Sequence, residues 1–362
     1  MDATGTEHEE MATAEADKPH FNSLHIQSDS GLMNLSKPIF ENGRYRNPWD
    51  TWRFNSLWNS IKFIRGGENK EEPKIEELDR TLPIIKPNFE EFCIPPTTGV
   101  RYMWIGHAST LVQVDGVTIL TDPIFSNRCS PVQFMGPKRY RDPPCTIDEL
   151  PHIDIVVISH NHYDHLDLFS VETLNRKYGK NLRWYVPVGI GKWMSDRGCE
   201  NVVELSWWDE DIFTGRSEVK VVCTPCQHWC KRTVLDTNKA LWSSWAVIGP
   251  KHSFFFGGDT GYCEAFKEIG WKYGNFTLAA LPIGCFKPSW FLSPQHVGPQ
   301  EAVQIHRDIK AVKSVGIHWG TFKMMAHEHY LEPRETLTEE VSKAGLKPDD
   351  FVTVNHGEIY VF

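Results

Sequence analysis

No stretch of the chain approaches the ~20 consecutive apolar residues that a membrane-spanning helix needs, which excludes an anchor of that kind within this sequence. The opening residues, MDATGTEHEEMATAEAD, lack both a basic start and an apolar run. They do not read as a secretory signal, and the expected side is cytosolic. Basic charge is scarce: 38 Lys and Arg stand against 47 Asp and Glu, a net charge of −9. Such a surface repels phosphate backbones at long range, so nucleic acid is not an expected partner. An anionic substrate stays open, because a bound metal can supply local positive charge. The nine cysteines are odd in number and follow no framework spacing, which excludes a disulfide scaffold and points to reduced thiols. Cys223, Cys226 and Cys230 make one C-x-x-C with a neighbour, but no second C-x-x-C follows, so they are expected to be structural.

What is present is a soluble globular composition, 40% hydrophobic and 23% charged, over 362 residues. That length allows one large α/β domain or two ordinary ones. Residues 1–42 are acidic and then Ser/Asn-rich, and are expected to form a disordered tail. The hydrolase domain is expected over 43–362, with 43–99 as an amphipathic and wrapping N-terminal segment. Within it Phe54, Leu57, Trp58 and Ile61 recur at helical spacing among Arg53, Lys62 and Arg65. Residues 66–99 are charged and then Pro-rich, and read as a linker.

From Val100 short β-rich runs begin: RYMWIG, STLVQV and VTILTD, the last two joined by the hairpin signal Asp115-Gly116. IDIVVIS is a continuous apolar run, as for a strand covered on both faces. Further strands are expected in RWYVP, VKVVCTP, WSSWAVIG, SFFFGGD, LAALPIG and SVGIHWG. Helices are expected near 168–178, 263–271, 298–307 and 334–344. Two such halves suggest an α/β fold of two sheets packed face to face with helices outside, an αββα four-layer sandwich.

The chemistry concentrates in S-H-N-H-Y-D-H, Ser159 to His165, directly after an apolar strand. Side chains two apart in an extended stretch point the same way, so His160 and His162 can face one metal. Asp164 and His165 follow the bend and can face a second. Imidazole and carboxylate are the ligands of open catalytic zinc sites. One motif cannot complete two shells. His228, Asp259 and His318 each follow an apolar strand. Each alone is more often a core or edge residue, but together they complete a set. His160, His162 and His228 would hold one metal, and Asp164, His165 and His318 the other. Asp259 would bridge them, with Gly257 and Gly258 allowing close backbone approach.

This set is that of the metallo-β-lactamase superfamily. The longer stretches TDPIFS, MGPKRY, ISHNHYDHLD, QHWCKR, GDTGY, LPIG, GIHWGT and HEHYLEP resemble the N-acyl-phosphatidylethanolamine-hydrolysing phospholipase D family from about Asn47 onward. The resemblance implies two Zn²⁺ per chain and hydrolysis of a phosphodiester to an N-acylethanolamine and phosphatidic acid. It makes Asp259 and His296 the expected catalytic residues. Tyr163, Gln295, His296 and Lys231 would contact substrate. Lys231 and Arg232 could also meet an anionic steroid or headgroup. His107 and Asp122 read as supports for the ligands. The resemblance further implies a membrane phospholipid substrate, peripheral attachment to the cytosolic face of intracellular membranes of Golgi or endosome type, a homodimer, and a bile-acid modulator. Trp49–Arg65 and Trp290-Phe291-Leu292 would meet the lipid, with core or dimer contact as the alternative. No H-x-K-x-x-x-x-D stands in the chain, which separates it from phospholipases that form a phosphohistidine. Another phosphodiester or lactone as substrate, or a non-catalytic lipid-binding protein, stays open as a different reading.

Overall fold

The computed structural model describes residues 34–67 and 72–362. A short hairpin, β1 (Ile39–Glu41) and β2 (Arg44–Arg46), comes first, followed by helices α1 (Leu57–Gly66) and α2 (Ile75–Thr81). The first large sheet opens with a meander of β3 (Arg101–Gly106), β4 (Ser109–Val114) and β5 (Val117–Thr121). The turn between β4 and β5 has φ 47° at Asp115 and 91° at Gly116, the two positive values that a two-residue hairpin of this twist requires. Parallel pairing then takes over through β6 (Ile155–Val157), β7 (Arg183–Pro187) and β8 (Val202–Leu205), with α3 (Leu168–Tyr178) and α4 (Gly191–Ser195) in the crossovers.

The second sheet repeats this plan. An antiparallel run of β9 (Glu210–Thr214), β10 (Glu218–Thr224), β11 (Ser244–Ile248) and β12 (Ser253–Phe256) passes into parallel β13 (Leu278–Pro282), β14 (Lys313–Ile317) and β15 (Phe351–Val352). Its connections carry α5 (Ala265–Lys272), α6 (Ser289–Leu292), α7 (Pro299–Asp308) and α8 (Glu332–Lys343). The last strand, β16 (Ile359–Val361), returns to pair with β3, so each large sheet has seven strands. Strands β3 to β6 and β13 are buried at every position, and residues of both sheets share one hydrophobic core. The αββα sandwich is therefore the architecture, and the continuous apolar runs are its doubly covered strands.

Three boundaries differ from the sequence reading. Residues 1–33 of the expected tail lie outside the described residues, but its limit at 42 is too late. Ser36 donates its N–H and hydroxyl to Glu268, and its carbonyl accepts from the Trp208 indole. Two bonds to one carboxylate fix a polar strap that composition alone reads as tail. The linker at 66–99 contains α2, which buries Leu78. The Trp49–Arg65 segment is helical only from Leu57, where Ser56 caps the helix by accepting from the Asn59 N–H. Ahead of the cap, Trp49 stacks on Trp207 instead.

The nine cysteines are free thiols, and the Cys223, Cys226 and Cys230 side chains are buried. None of these three belongs to a metal-type cluster among the described residues.

Candidate metal centre

The fold gathers the candidate ligands at one end of the sheets. His107 follows β3, Asp122 follows β5, and the His160–His165 turn follows β6. His228 follows β10, Asp259 follows β12, and His318 follows β14 directly. Strand carboxyl ends are where open α/β sheets place their sites.

In the first cluster, His160 Nε2 lies 2.7 Å from His162 Nδ1, which lies 3.3 Å from His228 Nε2. The other nitrogens show why these face inward as lone pairs. His228 Nδ1–H donates to the Gln295 carbonyl at 2.9 Å, and His160 Nδ1–H to Ser159 Oγ at 2.9 Å. The Ser159 hydroxyl in turn donates to Asp122. Zinc–nitrogen bonds of about 2.0–2.1 Å at tetrahedral angles put neighbouring donors about 3.3 Å apart, so this trio matches a cation's scale.

In the second cluster, His165 Nε2 lies 3.3 Å from Asp164 Oδ2, and His318 Nε2 lies 3.7 Å from the same oxygen. His165 Nδ1–H donates to Asp122 Oδ2 at 2.6 Å, and His107 Nε2 meets Asp164 Oδ2 at 2.9 Å. Asp259 stands between the clusters. Its Oδ1 is 3.0 Å from His318 Nε2, and its Oδ2 is 3.2 Å from His165 Nε2 and 3.9 Å from His228 Nε2. His160, His165, His228, Asp259 and His318 are buried, and His162 and Asp164 are partly so.

In the second cluster several buried polar atoms have no hydrogen-bond partner: Nε2 of His165 and His318, and Oδ1 of Asp259. Buried groups left so are expensive, and a cation satisfies all of them at once. Electrostatics agree. Burial, with neighbouring imidazoles, holds His160 well below its ordinary range, and burial does the same for His228 despite Asp259. Burial pushes His162 down to about 4. These rings are neutral, as ligands must be. Burial opposes charge on His165 and His318 too, but Asp259 and Asp164, with Asp122 beside His165 and Cys285 beside His318, together outweigh it and hold both well up. Two buried carboxylates are asking for positive charge, which metal can provide in place of imidazolium. The residues present therefore fit a pair of metal ions.

The scaffold carries strain for this arrangement. His107, Asp122 and His318 have φ of 53°, 31° and 62°, a region that non-glycine residues seldom adopt. Gly258 has φ 58°, and a Cβ there would stand 2.7 Å from Ser159 Cβ, so a side chain would push apart the Asp122–Ser159–His160 chain.

The remaining expected site residues fall into place differently. His296 lies over the centre, with its ring 5.5 Å from His318 and its unpartnered Nδ1 3.8 Å from Asp259 Oδ2. Gln295 meets the centre through its backbone carbonyl on His228, which the sequence reading did not foresee. Lys231 is exposed. Tyr163 donates its hydroxyl to the Arg232 carbonyl at 2.9 Å. Arg232 donates its guanidinium to the carbonyls of Asn161 and Leu166, and it also lines a cavity beside Tyr163.

Comparison with known proteins gives the family and the fold. Residues 117–319 match the family described as beta-lactamase superfamily domain. Solved structures share the fold: a metallo hydrolase of Ignicoccus hospitalis, 20% identical, covers 73% of this chain and 99% of its own at a TM-score of 0.55. The isothiocyanate hydrolase from Delia radicum gut bacteria, 18% identical, covers 72% of this chain and 99% of its own at 0.57. Fold and site thus define a metallohydrolase of the β-lactamase superfamily. Among curated relatives, N-acyl-phosphatidylethanolamine-hydrolyzing phospholipase D 1 of Caenorhabditis elegans is 40% identical over 341 residues, 91% of this chain and 95% of the relative. The mitochondrial N-acyl-phosphatidylethanolamine-hydrolyzing phospholipase D of Saccharomyces cerevisiae is 33% identical over 368 residues, 90% of this chain and 77% of the relative. The chain belongs to the N-acyl-phosphatidylethanolamine-hydrolysing phospholipase D family.

Proposed function

We propose that the chain is a two-zinc phosphodiesterase that hydrolyses N-acyl-phosphatidylethanolamine to an N-acylethanolamine and phosphatidic acid. The observation that carries this reading is Asp259, which stands between the two sets: it lies beside His165 and His318 of one and within 3.9 Å of His228 of the other. In this reading His160, His162 and His228 hold one zinc, Asp164, His165 and His318 the other, and Asp259 both. When bound, the zinc pair supplies an activated water at neutral pH and offsets the phosphodiester's charge.

The chain's own groups do the rest. Asp122 holds His165 directly and His160 through Ser159, so both rings keep their lone pairs inward. Burial pushes His296 down to about 4, so its ring is neutral at pH 7. A neutral imidazole suits orientation of a phosphate oxygen through N–H better than delivery of a proton to the leaving alkoxide.

Exposed side chains support access from a lipid surface. In α1, Leu57 is 79% and Trp58 70% exposed, while Phe63 faces inward and stacks on Phe291. Lys62 lies 4.8 Å from the ring centroid of Trp290, and Trp290 precedes His296 by six residues. This apolar and basic surface adjoins the segment that carries His296, which favours peripheral binding over a core role. No described helix is long and apolar enough to cross a membrane. A cavity of about 530 Å³ beside Tyr163, lined by Phe169, Trp193, Arg197, Arg232 and Lys239 and also by Asp167 and Asp236, offers apolar and cationic groups to an anionic steroid. A homodimer and attachment to Golgi- or endosome-type membranes complete the reading.

The test is hydrolysis of vesicles containing the N-acylated lipid in ¹⁸O-labelled water. Label in the phosphate of phosphatidic acid is expected. Label in the N-acylethanolamine, or release of diacylglycerol, would reject the assigned bond.

A further inference from the structure

The ligands of the proposed first zinc come from two different sheets. His160 and His162 belong to the turn after β6, and His228 to the loop after β10. Their mutual placement is therefore a tertiary matter, and the turn does little to fix itself. Its backbone bonds are those from His165 and Leu166 to the His162 carbonyl, at 3.2 and 2.9 Å.

Arg232, four residues after His228, closes this gap. Its Nη1 donates to the carbonyls of Asn161 at 3.1 Å and Leu166 at 2.6 Å, one on each side of the turn. Its guanidinium lies between two rings, 4.2 Å from the centroid of Tyr163 and 4.8 Å from that of Trp193. Tyr163, inside the turn, answers with the hydroxyl bond to the Arg232 carbonyl. The other end is anchored as well: the N–H groups of Arg232 and Thr233 donate to Asp236 Oδ1 at 3.0 and 2.8 Å. Lysine could not reproduce this, since it lacks the planar donor face that stacks between rings.

We propose that Arg232 is a positioning residue that locks the turn bearing His160 and His162 to the loop bearing His228, and so sets the ligand geometry of one zinc of the pair. This rests on the reading of those three histidines as ligands. Arg232 then acts through the metal site and does not touch substrate.

The test uses the full-length protein and zinc itself, with both dissociation constants measured by competition with a chromogenic chelator. The variants are Arg232→Met, which keeps an apolar stem and removes the guanidinium, Arg232→Lys, and Tyr163→Phe. Arg232→Met is expected to weaken one zinc about 10- to 100-fold, as for partners that orient ligands, and to leave the other within about threefold. Arg232→Lys should fall between, and kcat should drop in step with zinc loss while KM for vesicle substrate holds. Unchanged zinc constants in Arg232→Met would overturn the proposal, as would raised KM with intact zinc binding, which would make Arg232 a substrate contact. Should Arg232→Met fail to fold, Tyr163→Phe decides the matter. Loss of that one hydrogen bond should weaken the same zinc by about 2- to 10-fold, and no shift would overturn the proposal. Failure of the unmodified protein to bind two zincs would instead sink the ligand reading, before any variant is made.

Discussion

Asp122→Asn should separate the metal centre from the fold. Asp122 is fully buried and accepts from the Ser159 N–H at 2.7 Å, the Ser159 hydroxyl, and His165 Nδ1–H at 2.6 Å. Asparagine keeps the shape and tolerates the φ of 31° better than most residues. It cannot keep the bonding. One of its two polar atoms becomes an NH₂, which meets either the Ser159 N–H at the Oδ1 position or the Ser159 hydroxyl and His165 N–H at the Oδ2 position, donor against donor. The cost is about 1–3 kcal/mol for the group left unpaired. The alternative is a flip of the His165 tautomer, which turns an N–H toward the metal side. Either way the ligand loses its anionic support, worth about 10- to 100-fold in metal affinity, or about 1.4–2.8 kcal/mol. The assay is zinc content after dialysis against graded chelator, beside far-UV circular dichroism. Loss of zinc with native secondary structure is expected. Native zinc affinity together with native turnover would refute the reasoning, because the carboxylate would then not be what holds His165.

His296→Ala should lower turnover by about 10²–10³ with zinc content intact, since the ring lies outside the seven-ligand set and supplies one oriented donor over the centre; parallel loss of zinc in elemental analysis would make it a ligand. Trp58→Ser combined with Arg53→Glu should reduce vesicle binding and lipid turnover while a short soluble phosphodiester is still cleaved. Collapse of both activities would return α1 to a core or dimer role. Burial works to raise Asp115, but N–H groups of Lys251 and His252 and the His252 ring pull its carboxyl below the usual range. A depressed folded value means that its stabilisation is present above the unfolded pKa of about 3.9 and is lost as pH falls through the folded value. Asp115→Asn should therefore flatten acid unfolding below about pH 4, and an unchanged acid limb would remove Asp115 from that role.

Much of this molecule is legible in its residues because the site sits where pattern is strongest. The doubly covered strands leave unbroken apolar runs, and ligands directly follow them, so His318 after SVGI and Asp259 after SFFFGG stand out. Helix α3 is bounded by signals a reader can see, Asp167 capping at one end and Gly179 at the other. What stayed hidden depends on tertiary partners. Strand β9 mixes polar and apolar residues at an edge of the second sheet, so no apolar run marks it. The strap through Ser36 exists because Glu268 is there to accept it. Arg232 reads as a free cation beside a histidine, and only the fold reveals the two carbonyls and two rings that claim it. The positive φ values at His107, Asp122 and His318 likewise leave no trace in composition.

The central claim is a metal pair shared through Asp259, and elemental analysis of the purified protein and of Asp259→Asn tests it most directly. The account predicts two zincs per chain in the unmodified protein, and fewer than two with lost turnover but a native circular dichroism spectrum in Asp259→Asn. One zinc or none at full occupancy in the unmodified protein, or two zincs and near-normal turnover in the variant, would contradict it.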